Sequence, residues 1–174
     1  MAQAGQIPYA DALSAIAVPK AWEGANRILW KGQGGKGFPE SHKCRVPLSI
    51  HGVVQEGHFI DLYHKRSSLA AVPDKVSMTL VANGARVLAL DENGPSEHIN
   101  TVGKGHPFYG QSADHPHLHI PVPESSSEYA EPIGRVDIQG LWRIFLERAN
   151  IEGAPPFNLP PRKPQADGGQ MDLL

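Results

Sequence analysis

The chain has 174 residues, of which 40% are apolar and 20% charged, with 16 Lys and Arg against 18 Asp and Glu. These proportions fit one ordinary globular domain and exclude a disordered, collagen-like or strongly polycationic protein. The near balance of charge also argues against an extended basic face, although a local patch binds phosphate whatever the net charge.

Cys44 is the single cysteine, so no intramolecular disulfide is available. The first thirty residues lack a charged segment followed by an apolar one, and no apolar run reaches the roughly 20 residues that cross a bilayer. The expectation is a cytoplasmic protein without a membrane span.

In chain order, Ala12 to Ala17 reads as a short helix with Asp11 as its cap and Pro19 as its stop. Arg27 to Trp30 reads as a strand. The glycines from Gly32 to Gly37 form a turn rather than a phosphate-binding loop, because Lys36 is followed by Gly37 and not by Ser or Thr. Arg45 to Val54, His58 to Lys65, Val76 to Ala82 and Arg86 to Asp91 carry strand composition, with Asn83-Gly84 as a type I′ hairpin turn. The short connections leave no room for helical crossovers, so the sheet is expected to be mostly antiparallel.

Residues 92 to 116 read as a long loop rich in Gly, Pro, Asn and Ser. After Asp137, apolar residues at Ile138, Leu141, Trp142, Phe145, Leu146 and Ala149 recur at helical spacing, with Asp137 as the cap. From residue 160 the Pro- and Gly-rich sequence is expected to be extended or disordered. The fold class expected is α+β, a mostly antiparallel sheet packed against a C-terminal helix, in one domain over residues 1–159.

The chemistry concentrates in His115-Pro116-His117-Leu118-His119. In an extended strand His115, His117 and His119 project to one side, roughly 7 Å apart in succession. Imidazole titrates near neutrality and ligates zinc-type ions, so such a strand suits acid–base chemistry or a divalent metal. Pro116, Pro121 and Pro123 place it at a sheet edge, within reach of solvent. His98 and Asn100, in the preceding loop, are candidates to assist His117 and His119, with Asp91, Asn93 and Asp114 nearby. His42, His51, His58 and His64 lie among the strands, and His106 in a Gly-Pro loop, where half-buried histidines are ordinary.

Gly110-Gln111, three residues, then His115-Pro116-His117-Leu118-His119-Ile120 resembles the signature strand of histidine-triad nucleotide hydrolases and transferases, a likeness over about a dozen positions. That resemblance implies His117 as the nucleophile on an α-phosphate. Proline stands at positions 116 and 121, where that family has aliphatic residues. A broader likeness runs from Val87 to Glu152. Asp91-Glu92-Asn93-Gly94-Pro95, His98 and Asn100, then Pro116 to Ile120, Tyr129-Ala130 and Pro132, then a helix, resemble a group of small uncharacterised bacterial and prophage proteins. The layout is also loosely similar to TumE-type toxins.

Two classes of function follow as expectations. One is a phosphodiester-directed, nuclease-like hydrolase of mobile-element or toxin type, acting on nucleic acid or nucleotide through His117, His119, His98 and Asn100, with zinc on His115, His117 and His119. The other is a non-catalytic phage or mobile-element protein whose partner is a host defence complex.

Overall fold

The apolar residues that alternate between positions 44 and 90 all reach one side of a single sheet. The computed structural model describes residues 5–34, 39–93 and 97–162. In chain order the elements are α1 (Tyr9–Ala17), β1 (Lys20–Trp22), β2 (Lys31–Gly32), β3 (Ser41–Ile50), β4 (Val53–Lys65), β5 (Lys75–Ala82), β6 (Ala85–Glu92), β7 (His98–Ile99), β8 (Ser112–Ala113), β9 (His117–Val122), β10 (Ser125–Pro132), α2 (Ile138–Ala149) and β11 (Ile151–Glu152). Nine strands make one sheet in the order β10-β9-β6-β5-β4-β3-β1-β11, with β2 also on β3, and β7 pairs with β8 apart from it. Among the described residues, only β1 and β11 pair in parallel. The result is a β-rich α+β fold. No helix among the described residues is long and apolar enough to cross a membrane.

Register decides which residues face the core. Cys44, Leu62, Met78, Leu90 and Leu118 oppose one another across five strands, as do Val46, Ile60, Leu80 and Leu88 across four. Side chains opposed across a ladder share a face, so these buried residues form one apolar layer. Onto it pack α1, over β6 and β9, and α2, over β5 and β6. Leu141, Trp142, Phe145 and Ala149 are the buried stripe of α2, whose Asp137 cap accepts from Gly140 N at 2.7 Å. The helix ends at Asn150, left-handed at φ 53°.

Several expectations change. Helix α1 begins at Tyr9 after Pro8, without a side-chain cap; Asp11 lies in its first turn instead. Its end is closed by buried Lys20, whose Nζ donates to the carbonyls of Ala15, Ile16 and Val18. The strand expected at Arg27 to Trp30 is irregular, because the Asn158 amide takes both backbone groups of Ile28, at 2.8 and 3.0 Å. Pairing resumes only at Lys31. The span expected to be loop carries the β7–β8 ribbon, and β10 is a strand that its serine-rich sequence does not announce.

The histidine strand β9 is not at an edge: it lies between β6 and β10. Pro116 precedes it, and Pro121 stands beyond its last pair with β6, so neither proline removes a ladder bond there. Residues 163–174 of the expected tail lie outside the described residues, as do positions 35–37 and 94–95; positions 160–162 have no regular structure.

Candidate functional site

Histidines 117 and 119 alternate with Leu118, so the strand that sends Leu118 into the core sends both rings to the other side of the sheet. Opposite them on β6 stand Asp91, facing His117, and Ala89, facing His119. The small alanine leaves the His119 ring space to lie over β6. Asp91 Oδ2 is then 3.2 Å from His119 Nε2 and 4.0 Å from His117 Nε2. The three ligand atoms lie within 4.8 Å of one another, the one such group among the described residues.

Two further imidazoles adjoin. The His115 ring is 4.3 Å from that of His117, centroid to centroid, and the His98 ring is 4.8 Å from His119 and 5.5 Å from His117. Together with Lys75, Val76, Arg86, Asn93 and Glu128 they line a cleft of about 290 Å³. The chain thus brings His98, His115, His117 and His119 together, as the sequence reading requires. The convergent ligand set differs from the expected His115, His117 and His119: Asp91 takes the place of His115. His115 precedes β9, outside the ladder, whereas register holds Asp91 directly against His117.

Hydrogen bonds assign the tautomers. His117 Nδ1 lies 3.1 Å from the Ala113 carbonyl and must donate to it, leaving Nε2 bare toward Asp91 and His119. A ligand histidine that gives its other N–H to a backbone carbonyl is the usual outer-shell arrangement of metal sites. His98 Nε2 has only acceptors beside it, the Glu128 carbonyl at 2.9 Å and Asn100 Oδ1 at 3.2 Å, so its Nδ1 is the unprotonated nitrogen. Asn100 does not reach the cleft floor; its amide is committed to the backbone of Phe108 and Ala130.

Burial pushes the imidazoles of His115 and His119 below their usual range, and pushes His117 down to about 4 with help from its histidine neighbours. Burial alone would raise Asp91, but hydrogen bonds from His119 and Ser77 and the charges of His119 and Arg86 outweigh it and hold the carboxyl at about 2. Near neutral pH the rings of His115, His117 and His119 are therefore neutral beside an ionised carboxylate.

Comparison of the chain with protein-family models, curated proteins and solved structures found no match.

Two neutral imidazoles and a carboxylate are a complete donor set for a zinc-type ion that keeps a position open for water. Ligands about 2.1 Å from one ion stand at most about 4.2 Å apart, so binding draws the widest pair inward. Sequence reading did not single out Asp91 as a ligand or Lys75, Arg86 and Ser77 as neighbours of the site. Asp91 is marked only as a neighbour of the cluster and the start of the segment 91–95, and no sequence signal marks the other three, since each reaches the cleft through strand register.

The remaining histidines serve elsewhere. His64 is fully buried on the core side with Asp74 at 2.9 Å, and His106 packs 5.0 Å from the Tyr129 ring. Burial raises the Cys44 thiol, which keeps it protonated and unreactive.

Proposed function

We propose that the chain is a metal-dependent phosphodiester hydrolase with Asp91, His117 and His119 as its ligand set. The observation that carries this reading is the convergence of one carboxylate and two imidazoles in a cleft that also presents Lys75 and Arg86. A bound zinc-type ion supplies Lewis acidity and brings the pKa of a water near 7. His117, kept neutral by burial, offers the lone pair of Nε2; His119, whose Nε2–H is given to Asp91, offers one there once that proton passes to its unpartnered Nδ1; and Asp91 supplies the negative charge a cation requires. Lys75 and Arg86 set positive charge beside that carboxylate, where an anionic phosphodiester needs it. His98, with its Nε2 proton held by Glu128, has Nδ1 to accept a proton from attacking water. Asn100 positions His98 rather than meeting substrate.

Chelator-treated protein is expected to take up about one zinc or manganese per chain by elemental analysis, and the loaded protein to hydrolyse bis(p-nitrophenyl) phosphate. Asp91→Ala and His117→Ala should each weaken metal binding by at least about 100-fold, beyond the effect of losing an outer-shell partner, and take turnover to background. Wild-type turnover in either variant would remove the site. The bare Nε2 of His117 favours a second reading, nucleotide transfer through a phosphohistidine; phosphate trapped on His117 in metal-free protein would decide for it.

A further inference from the structure

The polar side of the sheet continues outward from the histidine cleft. His117 opposes Asp91, Asp91 opposes Ser77, Ser77 opposes Tyr63, Tyr63 opposes Lys43, and Lys43 opposes Lys31. This row lies on the face away from the apolar layer and both helices. Beside it run His119, Ala89, Thr79, Asp61 and Arg45, and Lys65 opposes Lys75 on the other flank.

Four cations on this face, Lys31, Lys43, Lys65 and Lys75, form no ion pair among the described residues. Arg45 is committed to Asp61, bidentate at 2.7 Å. Asp91 in the site and Glu128 in the cleft also lie by the row, whereas Glu40 lies beside Gly32, on the side of β2 opposite to Lys31. A hollow of about 290 Å³ lined by Lys43, Arg45, Asp61, Tyr63, Ser77 and Thr79 lies on the near side of Ser77, which bonds Asp91 of the histidine cleft, and one of about 340 Å³ shares Lys43 with it and reaches Lys31 and Arg27. With a net charge of −2 for the whole chain, gathering these cations on one face is segregation, not a compositional bias.

We infer that this row is the track of a single-stranded RNA, with Lys31, Lys43, Lys65 and Lys75 on its phosphates and the phosphodiester to be cut at Asp91, His117 and His119; it rests on the phosphodiester reading above. Five strand-to-strand steps from β2 to β9 span about 24 Å, enough for on the order of four nucleotides. Tyr63, over whose ring Lys75 Nζ lies 5.8 Å from the centroid, places an aromatic face midway, where an unpaired base stacks in that cation's place and a paired one does not. On β5 beside it, the Ser77 hydroxyl, its proton given to Asp91, is left to accept, and the Thr79 hydroxyl stands next to it; both are partners for ribose 2′-hydroxyls, which selects RNA over DNA.

The test is fluorescence anisotropy of a labelled 12-nucleotide oligouridine with the full chain in chelator, beside matched single-stranded DNA and duplex RNA. Four phosphate contacts give a slope of log affinity against log salt of about −3. Lys31→Glu with Lys43→Glu, both exposed, should weaken RNA binding at least about tenfold with the melting temperature unchanged. Tyr63→Ala should weaken it severalfold. Equal binding by the double lysine variant, or equal affinity for DNA or duplex, would overturn the track. Intact RNA binding by a wild type that hydrolyses neither RNA nor bis(p-nitrophenyl) phosphate would support the track while removing the hydrolytic reading.

Discussion

Asn100 illustrates how a polar residue read as chemical turns out to be architectural. It is fully buried, and its side chain mimics a neighbouring strand: Nδ2 donates to the Ala130 carbonyl at 2.8 Å and Oδ1 accepts from Ala130 N at 2.8 Å, with a further bond to Phe108 O. The outer edge of β10 is thereby closed, and His98 is held against Glu128 beside it. Asn100→Ala leaves both backbone groups of Ala130 unsatisfied, so urea unfolding should show a loss of about 2–3 kcal/mol. The His98 ring should lose its fixed orientation, seen as a narrowing of its imidazole NMR shift difference from an unfolded reference. The histidines themselves are legible because spacing of two in a strand is a local property. Asp91 is not, because its pairing with His117 depends on which residues of β6 and β9 fall opposite each other.

At the level of elements, signals carried within a few residues survive intact. The hairpin at Asn83-Gly84 has φ of 50° and 76°, as a type I′ turn demands, and α2 follows its apolar stripe and its Asp137 cap. Strand β10 has no such signal: Ser125, Ser126 and Ser127 open it, and Ser125 and Ser126 are buried because β9 lies alongside. The segment between β7 and β8 is fixed to β10 through Tyr129, whose hydroxyl accepts from Phe108 N at 3.2 Å and whose ring lies under Gly103. Gly103 has φ +81°, and a Cβ there would fall 2.6 Å from Tyr129 Cδ2. Gly103→Ala should therefore cost about 2 kcal/mol or more in thermal or urea unfolding. Gly105→Ala, at φ +93° with nothing near its Cβ, pays only the backbone strain of about 1–2 kcal/mol and serves as the comparison.

For the molecule as a whole, burying so many neutral imidazoles links stability to pH. His64, His115, His117 and His119 are all held below their ordinary values, with burial the largest cause in each. Below about pH 6.5 the unfolded chain takes up protons that the folded chain refuses, so their stabilisation is complete above that pH and drains away as pH falls toward the folded values. His117 alone, at about 4, accounts for on the order of 2 kcal/mol lost between pH 7 and pH 5. Asp91, held at about 2, adds a further loss only below about pH 4. Urea unfolding of chelator-treated protein should show this fall, and His117→Gln should flatten it. A stability unchanged from pH 7 to pH 5 would contradict the burial of these rings in their neutral form.

The sequence by itself determined what is written in local periods: an antiparallel sheet from alternation and short connections, a C-terminal helix from its 3.6-residue stripe, and a histidine strand from spacing of two. Those patterns act through neighbours a few residues apart, and they need no knowledge of the rest of the chain. Only the tertiary structure decided that β9 is interior, that Asp91 converges with His117 and His119, and that scattered lysines share one face. Each of these rests on the register between strands distant in the chain, which is set when the whole apolar layer packs on its two helices and not by any single segment.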